Sequence, residues 1–197
     1  MQSHTAEHHN LFTKTIFGFW VFLLTDCVFF AILFATYAVL RKSTFGGPGA
    51  DQLLNVPHGL YQSLILLSCS YLFSPILHAA YERKRKELLF WLSSSLVLGV
   101  GFLSLLTQDY LHFATVGHDW TQSGFLSALY NLIFSFAFHI AAGLFWIVVM
   151  IVYTARRHIT ENTLRKLTCL KMFWQYLNIL WVFIFTLIYL LGASYAP

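Results

Sequence analysis

The chain has 197 residues, of which 58% are hydrophobic, 18% aromatic and only 10% charged, whereas soluble domains carry roughly a quarter charged residues. That balance excludes an ordinary soluble domain, because no globular core of this length needs so much apolar surface. The net charge of +4 is read below as a record of membrane topology and carries no indication of nucleic-acid binding.

In chain order, residues 17–40 (FGFWVFLLTDCVFFAILFATYAVL) form an apolar run with one acid at its middle, Asp26. At about 1.5 Å per helical residue the run spans the roughly 30 Å of a bilayer's hydrocarbon core. It is too long for the h-region of a cleavable signal peptide and lacks a small-residue cleavage site after it, so the mature chain is expected to begin near Met1. A Gly- and Pro-rich connection, 41–58, leads to a second apolar run at 60–80. The tight basic hairpin ERKRKE joins this run to a third at 88–108, which contains Gly99 and Gly101. Those glycines permit close approach of helix or lipid and do not form a phosphate loop. After the connection 109–126 come a fourth run at 127–153, a basic stretch, and a fifth run at 172–194. The expectation is an all-α integral membrane bundle of five transmembrane helices in one domain, residues 1–197.

Orientation follows from the twelve basic residues. Lys14, Arg83, Lys84, Arg85, Lys86, Arg156, Arg157, Arg165, Lys166 and Lys171 fall on one side of such a bundle, and only Arg41 and Lys42 on the other. The positive-inside rule then places the N-terminus in the cytoplasm and the C-terminus outside. Arg83, Lys84, Arg85 and Lys86 are candidate contacts for anionic lipid headgroups. An odd helix count and the lack of visible self-similarity argue against the inverted repeats of secondary transporters.

Few residues can carry chemistry. Cys27, Cys69 and Cys169 are isolated, which speaks against a disulfide or iron–sulfur site. His4, His8 and His9 form a loose N-terminal cluster, read as solvated rather than metal-binding. His139 is the one histidine deep in a run, and a single imidazole cannot build a haem or copper centre. No hydrolase-type nucleophile and base pattern appears. An ionisable group at Asp26's depth is expensive and calls for a partner. Counting helical rise from each end puts Asp26 about 14 Å and His139 about 12 Å from the cytoplasmic face, so the two share a level. Either Asp26 hydrogen-bonds His139, or it stays protonated in an apolar setting; its role is either to fix packing or to handle protons. Gln62, Asn131, Gln175 and Asn178 are the remaining intramembrane amides and read as interhelical glue.

Three long segments, GFWVFLLTDCVFFAILFATYAVL, SGFLSALYNLIFSFAFHIAAGLFW and MFWQYLNILWVFIFTLIYLLG, resemble subunit III of haem-copper respiratory oxidases. The likeness is to the five-helix form of bacterial bo-type ubiquinol oxidases above all, and it extends in order over residues 15–194. It implies a subunit without catalytic, cofactor-binding or metal-binding residues of its own, with haem and copper held by the partner subunit I. The implied partners are subunit I directly, subunits II and IV of the same complex, and phospholipid in a V-shaped cleft between helices 1–2 and helices 3–5. The implied setting is the bacterial inner membrane. The family's buried helix-1 carboxylate falls on Asp26, and the second histidine of its HGLH-like segment on His139. Elsewhere the pattern departs from the family. The first of those histidines is Phe136, the WHxxD motif reads Trp174-Gln175-Tyr176-Leu177-Asn178, and a helix-2 glutamate of the quinol-oxidase form is Gln62. The implied function is that of an integral subunit of a proton-pumping terminal quinol oxidase, stabilising subunit I, binding lipid and aiding proton supply. The equivalent subunit of a cytochrome c oxidase, a subunit III-like protein of a nitric oxide reductase, and a stand-alone small transporter remain as alternatives.

Overall fold

The computed structural model describes residues 2–45, 56–115, 121–190 and 192, with side chains at 13–45, 56–111, 121–190 and 192. The elements among them are α1 (Gln2–Leu40), α2 (Val56–Tyr71), α3 (Phe73–Tyr81), α4 (Arg85–Thr115), α5 (Gly124–Arg156) and α6 (Glu161–Ile184). A π-helical turn at Phe185–Leu190 continues α6. They build five spans long and apolar enough to cross a membrane: Thr13–Leu40, Val56–Tyr81, Arg85–Leu111, Gly124–Arg156 and Glu161–Leu190. The protein is thus an all-α, multi-pass membrane protein. The side chains of His4, His8 and His9, residues 46–55 and 116–120 of the two connections, and residues 191, 193 and 194 of the fifth predicted run lie outside the described residues.

Local chemistry sets the element boundaries. The second span breaks at Leu72, between α2 and α3, because Pro75 has no N–H to give the carbonyl four residues back. Its end is closed by the Glu82 N–H on the His78 carbonyl (3.0 Å) and the Lys84 N–H on the Ala79 carbonyl (2.9 Å). To make this reversal Arg83 takes a left-handed φ of 55°, which disfavours a side chain by about 1 kcal/mol. At the start of α5 the Ser123 hydroxyl accepts the Leu126 N–H at 3.1 Å, a side-chain cap for one orphan donor.

The fifth span begins at Glu161 rather than near residue 172. Thr160 starts it by donating its N–H to Thr163 Oγ1 (3.2 Å). Leu164, Leu167 and Leu170 are buried at helical spacing, while Arg165 and Lys166 sit between them on the other face. The basic residues mask this apolar stripe in a simple scan for uncharged runs.

The fifth span is the axis of the bundle, 56% buried over its apolar stretch, and the first is peripheral at 17%. The first span rests on the fourth and fifth, the second on the third and fifth, and the third on the fourth. Among the described residues the first and second spans make at most marginal contact, so the expected grouping of helices 1–2 against 3–5 is not seen. Instead the first and second spans stand apart on either side of the fifth.

Aromatic packing holds the centre. Trp181 meets Phe102 edge-on at 5.0 Å and Phe136 at 5.4 Å, and all three are buried; such pairs add about 0.5–1.5 kcal/mol beyond burial. A histidine in place of Phe136 would put an unpaired polar ring into that cluster, which explains the apolar residue there. At Gly99 an added Cβ would come within 2.5 Å of Leu144 Cδ2 and 3.1 Å of the Trp174 ring, whereas at Gly101 it would meet nothing within 4 Å. Gly99 therefore lets the third, fourth and fifth spans close on one another, and Gly101 faces outward.

Candidate functional site

Asp26 lies midway along the first span and His139 midway along the fourth, where these two helices pack. The structure brings them together, with His139 Nε2 3.1 Å from Asp26 Oδ1 and side-chain exposures of only 17% and 11%. The imidazole is braced from the other side by the Ser135 carbonyl, 2.7 Å from Nδ1. Phe30 packs edge-on against the ring at 5.1 Å, with Phe29 beside it at 6.3 Å.

This arrangement fixes the protonation of the pair. A carbonyl oxygen only accepts, so Nδ1 must carry the proton that bonds Ser135. In the neutral ring Nε2 is then an acceptor, and Asp26 must donate to it as a carboxylic acid. If Nε2 also carries a proton, imidazolium meets carboxylate. Either way one proton lies between Asp26 and His139 and the pair is neutral overall, which removes the penalty of an isolated charge in hydrocarbon. Chemically it can hold a proton or lock two helices.

Sequence reasoning did not single out a third member, Tyr176 of the fifth span. Its hydroxyl lies beside Asp26 and Cys27 but stops short of hydrogen-bond geometry, and both the Tyr176 hydroxyl and Asp26 Oδ2 are buried without a partner. The signal was available: a tyrosine two residues before Asn178 in an apolar run brings a polar tip to a depth where it needs company.

A second carboxylate site was also missed. At the end of the bundle opposite the hairpin, Gln62 Nε2 donates to Asp109 Oδ2 at 2.6 Å, and His58 Nε2 stands 3.1 Å from Asp109 Oδ1. Gln62 is fully buried. Tyr189, delivered by the π-helical turn, approaches Asp109 and packs so closely on Gly59 that a Cβ there would sit 2.7 Å from its ring. Both His58 and Asp109 stand at the ends of the connections 41–58 and 109–126, where the sequence pattern indicates loops. Of the other amides, Asn178 donates to the Trp174 carbonyl of its own helix at 3.1 Å, and Asn131 and Gln175 are exposed. Gln62 is therefore the amide that ties two spans together.

At the basic end the hairpin is largely neutralised internally. Lys84 pairs with Glu82 at 2.7 Å and Glu87 at 3.6 Å, and Arg83 lies 3.9 Å from Glu161. The hydrogen bond from Lys84, helped by His78, holds the Glu82 carboxyl below its usual range, and the same bond raises the Lys84 ammonium. Arg85 and Lys86 have no carboxylate in ion-pairing distance among the described residues. Arg165 presents a different picture. It donates to Asn162 Oδ1 at 2.6 Å, but its buried Nε has no partner. It lines a slot of about 470 Å³ walled by Gly18, Phe19, Phe22 and Trp146, with Lys166 at the rim. Lys166 is itself held 4.6 Å over the Tyr153 ring, a favourable cation–π distance.

Among the described residues no three His, Cys, Asp or Glu side chains converge as a metal site. No family model matches the chain. Among curated proteins it is similar to cytochrome bo(3) ubiquinol oxidase subunit 3 of Pseudomonas aeruginosa, 35% identical over 191 residues, covering 96% of this chain and 91% of the relative. It is 35% identical over 191 residues to cytochrome c oxidase subunit 3 of Bacillus sp. (strain PS3), covering 95% of this chain and 89% of that one. With quinol oxidase subunit 3 of Bacillus subtilis it shares 32% identity over 179 residues, 91% of this chain and 88% of the relative. Similarity at this level over nearly the whole length, together with five spans, establishes that the chain belongs to the subunit III family of haem-copper respiratory oxidases.

Proposed function

We propose that the chain is the integral subunit III of a proton-pumping terminal oxidase that takes electrons from quinol and reduces oxygen to water. The observation that carries this reading is the 35% identity to a ubiquinol oxidase subunit 3 across 96% of the chain. In this role the chain carries none of the redox centres. Haem and copper reside on subunit I, with subunits II and IV completing the complex in the bacterial inner membrane. The N-terminus and the basic hairpin face the cytoplasm, a placement that the distribution of Lys and Arg supports.

Its own residues supply structure and environment. The Asp26–His139 clasp locks the peripheral first span onto the fourth and keeps one proton inside the bundle, available to a proton path. The slot at Arg165 takes an anionic phospholipid, because a half-buried guanidinium with an unpartnered Nε demands an anion and the apolar walls accept an acyl chain. Arg85 and Lys86 add headgroup contacts, whereas Arg83 and Lys84 are occupied by glutamates.

Purifying the complex through a tag on this chain tests the reading. Haem absorbance and quinol-driven oxygen uptake in the purified material are the expected result. The similarity to a cytochrome c oxidase subunit 3 supports a second reading, in which reduced cytochrome c and not quinol drives uptake. A tagged chain that purifies alone, without haem, would overturn both.

A further inference from the structure

Three spans converge on Asp26, because the first packs on both the fourth and the fifth. The fourth contributes His139, whose Nε2 engages Asp26 Oδ1 at 3.1 Å. The fifth contributes Tyr176, which is only 7% exposed. Its hydroxyl and Asp26 Oδ2 lie against each other, each buried and each without a hydrogen-bond partner. A phenol has a proton to donate, and Oδ2 has a lone pair to receive it whether Asp26 is a carboxylate or an acid protonated on Oδ1. Two such orphans side by side are expensive at this depth, and one contact satisfies both. Cys27 also lies beside the phenol, but a thiol sulfur is a weak acceptor, so the carboxyl oxygen is the better destination for the O–H.

We propose that in the assembled complex Tyr176 closes onto Asp26 Oδ2 and, by donating its O–H there, holds the proton shared by Asp26 and His139 on the imidazole. The proposal deepens the proton-holding part given to the clasp above and rests on it. The pair has one proton and two places for it: on Oδ1, giving acid and neutral imidazole, or on Nε2, giving carboxylate and imidazolium. A hydrogen bond to the charged form of a carboxyl group favours that form, and a bond to a charged acceptor is roughly twice as strong as a neutral one. The Tyr176 bond therefore moves the shared proton from Oδ1 to Nε2 with no change in net charge, while the phenol keeps its own. The structure shows this contact just short of closing. Tyr176 rides on the axial fifth span and Asp26 on the peripheral first, so the separation of those two helices sets which residue carries the proton. Tyr176 is thus a positioning residue for a proton that it never takes up itself.

The experiment is infrared spectroscopy of the whole purified complex, prepared with aspartate carrying carbon-13 in its side-chain carboxyl. An acid shows a C=O band that a carboxylate lacks, and the part of that band due to Asp26 is the part missing from Asp26→Asn. Tyr176→Phe removes only the hydroxyl and should raise the ratio of acid to carboxylate at Asp26 about tenfold, the difference between bonding a charged and a neutral acceptor. His139→Gln should raise it as well, since a lone carboxylate in hydrocarbon takes up a proton. An Asp26 acid band of equal strength in wild type and Tyr176→Phe, or a weaker one in Tyr176→Phe, would overturn the proposal. A band that rises in His139→Gln and not in Tyr176→Phe sinks the role of Tyr176 alone. An Asp26 that stays ionised in His139→Gln sinks the shared proton itself, and with it the proton-holding part of the clasp.

Discussion

Asp26 and Asp109 are both carboxylates set beside an imidazole, yet they sit in different electrical worlds. Asp26 and His139 are sealed between two spans at mid-depth, with exposures of 11% and 17%. Asp109 and His58 lie at a bundle end with exposures of 23% and 40%, and a buried glutamine takes the inner side of the carboxylate. The second pair is the more exposed of the two and shares its carboxylate with Gln62, so it does not depend on one contact alone. No such relief exists for the first. The same residue types therefore meet in a single enclosed contact in one place and in a shared, more exposed one in the other.

The sharpest way to break this contrast is to disrupt the contact that each carboxylate makes. Asp26→Leu leaves His139 Nε2 without a partner in a sealed site and should destabilise the complex by about 2–4 kcal/mol. Asp26→Asn should lose less than about 1 kcal/mol, because its amide N–H can still donate to Nε2. Thermal unfolding of the detergent-solubilised complex measures both. Gln62→Leu removes the 2.6 Å bond to Asp109 and should destabilise by about 1–2 kcal/mol, since water compensates part of the loss. Equal losses for Asp26→Leu and Gln62→Leu would mean that depth does not separate the two sites.

Depth also explains what could be read from the sequence. Asp26 and His139 each interrupt a long uncharged run, so helical rise alone put them on one level, and the five-span architecture followed from the same runs. Asp109 and His58 lie where apolar runs give way to loop-like composition, and nothing local shows that the helices continue past them to Thr115 and back to Val56. Tyr176 was hidden differently. Tyrosine is common in membrane helices, and only the tertiary approach of the fifth span to the first shows that its hydroxyl ends beside Asp26. The grouping of helices was likewise beyond the residue pattern, because which faces meet depends on close approaches such as that at Gly99, while Gly101, two residues on, contributes none.

That pair of glycines gives a smaller test of the packing. Gly99→Ala forces Leu144 and Trp174 to yield and should destabilise by about 1–2 kcal/mol. Gly101→Ala meets open space and should change stability by less than about 0.5 kcal/mol, or raise it through helix propensity. Stability of the same solubilised complex distinguishes them.

The smallest effect belongs to the hairpin, where exposed groups replace the enclosed pair. Since the folded state holds Glu82 below its ordinary range, its contribution is present at neutral pH and is lost as pH falls through the depressed folded value. Amide-exchange protection at residues 82–85, taken relative to the rate of an unstructured chain at the same pH, should stay constant from pH 7 to the ordinary carboxylate range and fall only below it. Loosening already near neutrality would show that the Lys84–Glu82 pair does not hold the turn.

The division of labour between this chain and its partner is tested most directly by oxygen uptake in the purified Asp26→Asn complex, normalised to haem. Full haem content and turnover within about threefold of wild type, a barrier change under 1 kcal/mol, are the expected result for a clasp that supports chemistry located on another subunit. A fully assembled, haem-loaded Asp26→Asn complex that no longer reduces oxygen would contradict it.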